Sequence, residues 1–90
     1  MEFEWNPEKA ALNLQKHSVL FTEAATVFND PLSTTFPDPD HSVGESRYVI
    51  IGLSRFGQLV ISHTDRGEKI RIISARKATR QEQRFYEEGI

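Results

Sequence analysis

The sequence has no cysteine and no long apolar run. Without cysteine, the chain cannot form a disulfide, a thiolate metal site or a thiol nucleophile. The longest near-continuous apolar stretch, residues 49–53, is far too short to span a membrane. The acidic residues 1–5 contain no apolar segment typical of a signal peptide. We therefore expect a cytoplasmic protein with no membrane contact, and its 90 residues suffice for one small domain, residues 1–90.

Several motifs of common enzyme classes are absent as well. The sequence contains no G-x-x-x-x-G-K-[ST], no G-x-G-x-x-G, no G-x-S-x-G and no H-E-x-x-H. Nucleotide hydrolysis, dinucleotide binding, common esterase chemistry and zincin-type proteolysis therefore lose their usual support.

The charge is unevenly distributed along the chain. The net charge of −2 gives no indication of a nucleic-acid partner. Residues 66–84, however, hold seven Lys and Arg against two acidic residues, whereas residues 1–65 hold four against nine. Such a basic block can form a phosphate-binding surface, or it can be the solvated face of a strand and a helix.

Hydrophobic periodicity and turn residues predict the element order β-α-α-β-β-β-β-α. Asn6 and Pro7 are a typical start for the first helix, and Thr79 with Glu82 forms a capping box for the last. The second helix is expected to follow a Thr22 cap. The predicted strands are residues 2–5, 32–36, 47–54, 58–64 and 69–75. This order predicts an α+β fold with two N-terminal helices and one C-terminal helix packed against an antiparallel sheet.

The turns between the last three strands predict the register of the sheet. A three-residue loop at 55–57 pairs Ser54 with Gln58, and a two-residue turn at 66–67 pairs Ile61 with Ile72. The core face then carries Val49, Ile51, Leu53, Leu59, Ile61, Ile70 and Ile72. The opposite face carries Tyr48, Ser62, Thr64, Lys69 and Arg71. These polar residues could hold a phosphate backbone and stack a base, or form an ordinary wetted surface.

Two groups of polar residues could carry proton-transfer chemistry. The register brings Arg47, His63 and Asp65 to one end of the sheet, where His63 could act as an acid or base oriented by Asp65. The alternative is a structural Arg47–Asp65 pair beside a packed histidine. At the end of the first helix, Lys16 and His17 could bind phosphate and transfer a proton, or simply complement the helix dipole.

The segment Asp38-Pro39-Asp40-His41 combines two carboxylates with an imidazole. Such groups bind divalent cations, which would suit a metal-dependent nuclease. Pro-Asp pairs are more often turn formers, and no further acidic cluster accompanies these.

Taken together, segments along nearly the whole chain resemble the BrnT family of small toxins from type II toxin–antitoxin modules. The matching segments are F-E-W-N-P-x-K from residue 3, N-x-x-K-H-S-V-x-F from residue 13, E-A from residue 23, F-x-D-P from residue 28 and R-I-I-S-A-R-x-A-T-x-x-E from residue 71. Two positions differ from the family pattern. Asn6 stands where the family usually has Asp, and Ser18 where it usually has Gly.

The resemblance implies a RelE-like fold and a ribonuclease that arrests translation. It also implies a partner, a BrnA-type antitoxin that neutralises the toxin, binds DNA and represses the operon; a toxin dimer or a toxin–antitoxin heterotetramer is the expected assembly. The catalytic candidates that it suggests are Lys16, His17, Glu45, Arg47, Arg71 and Arg76. The RNA-binding candidates are Tyr48, Arg66, Lys69 and Arg80.

RNA cleavage by such residues needs no metal ion or other cofactor, because the 2′-hydroxyl of RNA serves as the nucleophile. A base takes the 2′ proton, an acid protonates the 5′-oxygen, and cations stabilise the phosphate. We expect Arg47, Arg71 and Arg76 to bind the phosphate with help from Lys16. His17 or Glu45 would accept the proton. The alternative is a non-catalytic module that binds protein or RNA through its basic C-terminal third.

Overall fold

A computed structural model of the chain describes residues 1–89; Ile90, the last residue of the predicted domain, lies outside the described residues. The elements are β1 (Glu2–Glu4), α1 (Pro7–His17), α2 (Phe21–Thr26), β2 (Thr34–Pro37), β3 (Arg47–Ser54), β4 (Gly57–Arg66), β5 (Lys69–Lys77) and α3 (Arg80–Glu88). Two 3₁₀ turns lie at Val27–Asn29 and Pro39–His41. The α+β class and the predicted element order are confirmed. No helix among residues 1–89 is long and apolar enough to cross a membrane.

The sheet is mixed rather than purely antiparallel, which corrects one expectation. Its strand order is β1-β5-β4-β3-β2, and β1 runs parallel to β5 while the other neighbours are antiparallel. The chain leaves β1 through two helices and a hairpin series, so that β5 returns beside β1 in the same direction. β1 pairs only with Lys69, Ile70 and Arg71. Beyond Arg71, the outer edge of β5 therefore has no strand partner among the described residues.

The helix ends follow the local sequence. The Asn6 side chain accepts hydrogen bonds from the backbone N–H groups of Glu8 and Lys9, at 2.8 and 3.1 Å. Ser18 ends α1 in the left-handed region with a φ of 59°, and its N–H donates to the carbonyl of Leu14. This is the backbone conformation that favours glycine, the residue the family usually has there.

The ends of the other two helices show one confirmed and one wrong prediction. The predicted Thr79–Glu82 capping box begins α3, and Gly89 ends it with a φ of 71°. The start of α2 differs from the prediction. It begins at Phe21, and its N-cap is Leu20, two residues before the expected Thr22; Leu20 makes no side-chain capping bond.

Helices cover the sheet on both faces. α1 and α2 cover one face over a core of nine buried residues, Val19, Phe21, Ala24, Val27, Ile50, Leu59, Ile61, Ile72 and Ala75. α3 covers part of the other face, where Phe85 and Tyr86 pack against a smaller cluster around Ile51, Val60 and Ala78. The second face is thus apolar only beneath α3, and the rest of it carries polar side chains.

The register of β3 differs from the predicted register by one residue. The β3–β4 turn holds two residues rather than three, so that Ser54 pairs with Gly57 and Ile51 pairs with Val60. A one-residue shift exchanges the two faces of a strand, because side chains alternate along it. Tyr48 therefore lies on the α1–α2 face, and Ile51 faces α3.

The register between β4 and β5 is also shifted, but without a change of face. Arg66 pairs with Lys69 and His63 with Ile72, a shift of two residues from the predicted register. An irregularity after Ser62 then places Ile61 opposite Ala75, so the predicted pairing of Ile61 with Ile72 is wrong. Because an even shift preserves the alternation, Ile61 and Ile72 keep the predicted core-facing side.

Candidate functional site

α3 covers only part of one face of the sheet, which we call the α3 face. The uncovered part of this face carries cations and hydroxyl groups. Arg47, Thr64 and Arg71 lie opposite one another on β3, β4 and β5, so their side chains share this face. Ser62 and Ser74 form a pair further along the same two strands. Serine hydroxyls and arginines can donate hydrogen bonds to a phosphate. The Thr64 hydroxyl is not available for this, because it is buried and donates to the Ser46 carbonyl at 2.6 Å.

The loop between β2 and β3 is fastened over the start of β3. The backbone N–H of Asp38 donates to the carbonyl of Arg47 at 2.8 Å. The Ser42 hydroxyl donates to the Asp38 carbonyl at 2.7 Å and accepts from the Arg47 N–H at 3.0 Å. These bonds close the loop on itself and hold His41 near Arg47.

A pocket of about 180 Å³ lies between this loop and the sheet. We call it the loop pocket; its lining residues are Asp38, His41, Arg47, Ser62, Ile73 and Ser74. Within it, His41 Nδ1 lies 2.9 Å from Asp38 Oδ2. The Arg47 Nε is buried and has no hydrogen-bond partner in the described structure, and the closest oxygen of Glu45 is 3.7 Å away. The Arg47 side chain as a whole is 32% exposed, so the accessible part of its guanidinium is suited to bind an anion in the pocket.

A second depression, of about 200 Å³, adjoins the loop pocket at the open edge of β5. We call it the α1 groove; its lining residues are Lys9, Leu12, Asn13, Lys16, His17, Ile73 and Ser74. Ile73 and Ser74 line both depressions. The fold therefore brings Lys16 and His17 to one side of Ser74 and Arg47 to the other.

Asn13 anchors α1 on this edge. Its amide nitrogen donates to the carbonyl of Ala75 at 2.9 Å and to that of Val19 at 3.1 Å. Its amide oxygen accepts from the Ala75 N–H at 3.0 Å. The side chain thus replaces the missing neighbouring strand at Ala75, and it fixes the position of Lys16 relative to Ser74.

Two of the predicted catalytic arginines are already paired with glutamates. Arg71 donates twice to Glu4 Oε2, at 2.6 and 3.0 Å, which ties β5 to β1. Arg76 forms a two-bond pair with Glu82 at 2.7 and 2.9 Å, which ties β5 to α3. The hydrogen bond from Arg76 is the main reason that the pKa of Glu82 falls to about 2. Both arginines therefore have partners that a phosphate would have to displace.

The four predicted RNA-binding residues do not gather at one place. Tyr48 lies on the α1–α2 face, where its ring stacks on His63 with centroids 5.8 Å apart. The prediction that Tyr48 and Arg71 share a polar face is therefore wrong, because the register of β3 is shifted by one residue. Arg66 and Lys69 are exposed at the β4–β5 turn, and Arg80 is exposed in the first turn of α3. None of the four lines the loop pocket.

The predicted group of Arg47, His63 and Asp65 does not form. Arg47 lies opposite Thr64 and on the other face of the sheet from His63. His63 is buried beside Phe28 and Tyr48, and neither ring nitrogen has a partner in the described structure. Burial lowers the pKa of His63, so the ring is neutral at physiological pH.

The Asp38–His41 segment does not gather a metal-ligand set. Among residues 1–89, no three His, Cys, Asp or Glu side chains lie close enough together to hold a metal ion. The structure pairs Asp38 with His41 and leaves Asp40 exposed. In the sequence, this pairing is indicated by the spacing of three residues between Asp38 and His41 around Pro39. From the sequence alone, the same segment is interpreted as a turn or a metal site.

The fold and these depressions define a small α+β protein with a cationic, hydroxyl-bearing surface beside an open sheet edge. Residues 5–82 match the family model described as the ribonuclease toxin BrnT of type II toxin–antitoxin systems. The chain belongs to this BrnT family, as the resemblance of its segments indicates. Membership implies an antitoxin partner. No curated protein matches the sequence significantly.

Proposed function

We propose that this protein is an endoribonuclease toxin that cleaves RNA in the cytoplasm without a metal ion and thereby arrests translation. One observation carries the proposal: Arg47 and Lys16 line two adjoining depressions that share Ser74. A phosphate in the loop pocket would meet Arg47, and the RNA strand could continue past Ser74 towards Lys16 and His17.

In the proposed reaction, the 2′-oxygen of a nucleotide attacks the adjacent phosphorus. The bond from the 2′-oxygen to phosphorus forms as the bond from phosphorus to the 5′-oxygen breaks. The products are a 2′,3′-cyclic phosphate and a 5′-hydroxyl. Arg47 would donate to a non-bridging phosphate oxygen, where negative charge accumulates, with hydroxyl donors available at Ser62 and Ser74.

The remaining candidates have supporting roles in this proposal. Arg71 and Arg76, paired with Glu4 and Glu82, would hold β1 and α3 in place rather than contact the reacting phosphate. The exposed cations Arg66, Lys69 and Arg80 would attract RNA through long-range charge. A RelE-like fold remains a prediction from the family resemblance.

For regulation, we propose that a BrnA-type antitoxin neutralises the toxin by covering the loop pocket and the α1 groove. Both depressions open to the surface, and they share Ile73 and Ser74, so one partner segment could block both. A toxin dimer or a toxin–antitoxin heterotetramer is the expected assembly.

Inducible expression with and without the neighbouring antitoxin gene tests this proposal. We expect the wild-type chain to arrest growth alone and to be tolerated with the antitoxin. The Lys16→Ala, Arg47→Ala double variant should lose the arrest, because each depression that Ser74 lines then loses a cation. Arg84→Ala is the matched control, since this arginine is exposed on α3, pairs with Glu88 in its own helix and lines neither depression. Growth without arrest by the wild type would instead favour a non-catalytic binding module.

A further inference from the structure

We propose that His41, oriented by Asp38, is the general base that removes the 2′ proton. This inference rests on the proposed ribonuclease function and assigns the proton acceptor to a residue other than His17 or Glu45. It follows from which ionisable groups share the loop pocket with Arg47.

The Asp38–His41 contact leaves one ring nitrogen free for catalysis. With the proton on Nδ1, His41 donates to Asp38 Oδ2 across 2.9 Å, and Nε2 is left as an unprotonated acceptor. The His41 side chain is 68% exposed, whereas Asp38 is 21% exposed. A more buried carboxylate behind an accessible imidazole is the arrangement that fixes the tautomer and orientation of a catalytic histidine.

The loop that carries the pair is held by its own hydrogen bonds. Ser42 bridges the Asp38 carbonyl and the Arg47 N–H, so the base and the phosphate-binding arginine share one fixed backbone frame. This matters because proton transfer requires the base to lie within hydrogen-bonding reach of the 2′-hydroxyl.

The two other acceptors are less well placed. His17 lines the α1 groove and not the loop pocket, so Ser74 and Ile73 separate it from Arg47. Glu45 does not line the loop pocket, and its carboxylate faces Arg47 Nε at 3.7 Å. At that position Glu45 would compete with the phosphate for the guanidinium rather than meet the 2′-hydroxyl.

Each proton in the proposed step has a donor and an acceptor. His41 Nε2 takes the proton of the 2′-hydroxyl as the 2′-oxygen bonds to phosphorus. The departing 5′-oxygen takes a proton from water, and His41 returns its own proton to the solvent. The reaction therefore consumes no proton overall, and the exposure of His41 allows this exchange.

Asp38 has a positioning role in this proposal. Its carboxylate contacts the ring from the same turn, and Arg47 shares the pocket from β3. Asp38→Asn removes the carboxylate that orients the ring. This substitution should therefore lower kcat while the KM for RNA changes little.

The test is to add purified variants to a translating cell extract, which holds both free RNA and ribosomes, and to count new 5′-hydroxyl RNA ends. His41→Ala should lower the rate by about 10²- to 10⁴-fold, and added imidazole should restore part of it. Asp40→Asn is the matched control for Asp38→Asn, because Asp40 is exposed and lines neither depression. Thermal unfolding of each variant checks that it folds.

The outcomes separate this inference from the proposed function. Loss in both His41→Ala and Arg47→Ala, with imidazole rescue of the former only, supports the base assignment. A wild-type rate in His41→Ala together with loss in Arg47→Ala overturns the base assignment and leaves the ribonuclease proposal intact. If the wild-type chain generates no 5′-hydroxyl ends, both are overturned.

Discussion

At the scale of single residues, Asn13 links α1 to the edge of β5 through its buried side chain. It is 7% exposed and bonds both backbone groups of Ala75, a residue 62 positions away in sequence. An apolar residue at this point of α1 would leave the edge of β5 with unpaired polar groups. A buried amide is therefore required where helical periodicity would lead one to expect a hydrophobic residue.

We predict that Asn13→Ala lowers the free energy of unfolding by about 2 to 4 kcal/mol, because a buried N–H and two buried carbonyls lose their partners. Chemical denaturation measures the change. Gln15→Ala on the exposed side of α1 is the control and should be nearly neutral. An equal effect of the two substitutions would show that the Asn13 contacts contribute little.

The sequence indicated Lys16, His17 and Arg47 as candidates, and the fold brings them to the two depressions beside Ser74. It could not indicate which arginines are free. Arg71 and Arg76 look equivalent to Arg47 in sequence, but their glutamate partners are 67 and 6 residues away. Which glutamate an arginine pairs with depends on the three-dimensional packing of the elements and cannot be inferred from the neighbouring sequence.

At the scale of elements, the strands and helices were predictable, but their register was not. Composition and turn residues identify each strand, because Val and Ile runs between glycine turns have few alternatives. The length of the β3–β4 turn is ambiguous at 55–57, and one residue decides which face Tyr48 occupies. Because helices pack on both faces of the sheet, β3 carries apolar residues on both of its sides. The hydrophobic pattern of β3 therefore did not show which side faces α1 and α2.

α3 is attached to the sheet by polar bonds as much as by its apolar residues. Arg76 holds Glu82, and the Tyr86 hydroxyl donates to Asp30 Oδ2 at 2.5 Å. That hydrogen bond raises the pKa of Tyr86 to about 12. α3 contributes few large apolar side chains to this contact. We therefore infer that the charges of Glu82 and Asp30 affect the stability of its packing on the sheet.

The Arg76–Glu82 pair gives a prediction about pH. The pKa of Glu82 falls from its ordinary value of 4.5 to about 2 in the folded chain. The pair therefore stabilises the fold above pH 4.5, and this contribution is lost as the pH falls towards 2. Glu82→Gln keeps the capping geometry but removes the charge, so wild type and variant should converge in stability at low pH.

Both side chains of this pair are partly exposed, so solvent screening limits the difference at neutral pH to about 1 kcal/mol. Urea denaturation between pH 7 and pH 2 measures it. Glu88→Gln, in the same helix and facing Arg84 at 3.4 Å, is the matched control and should show a smaller difference. A constant gap between wild type and Glu82→Gln across the range would contradict the proposed charge effect.

At the scale of the whole molecule, charge position matters more than charge total. The net charge of −2 conceals a basic block at residues 66–84, yet part of that block is neutralised within the fold by Glu4 and Glu82. Arg47, whose buried Nε has no hydrogen-bond partner in the described structure, lies outside the block and on an earlier strand. The proposed site therefore depends on β3 and its preceding loop as much as on the basic segment.

The central claim is that this chain cleaves RNA through the 2′-hydroxyl without a metal ion. The most direct measurement is the chemistry of the RNA ends that purified toxin produces in a translating extract, because the nucleophile determines which ends form. We predict 5′-hydroxyl and 2′,3′-cyclic phosphate ends in the extract, and the same ends at an unchanged rate on purified RNA in excess EDTA. Ends that carry a 5′-phosphate, or cleavage of purified RNA that EDTA abolishes and a divalent cation restores, would contradict the claim.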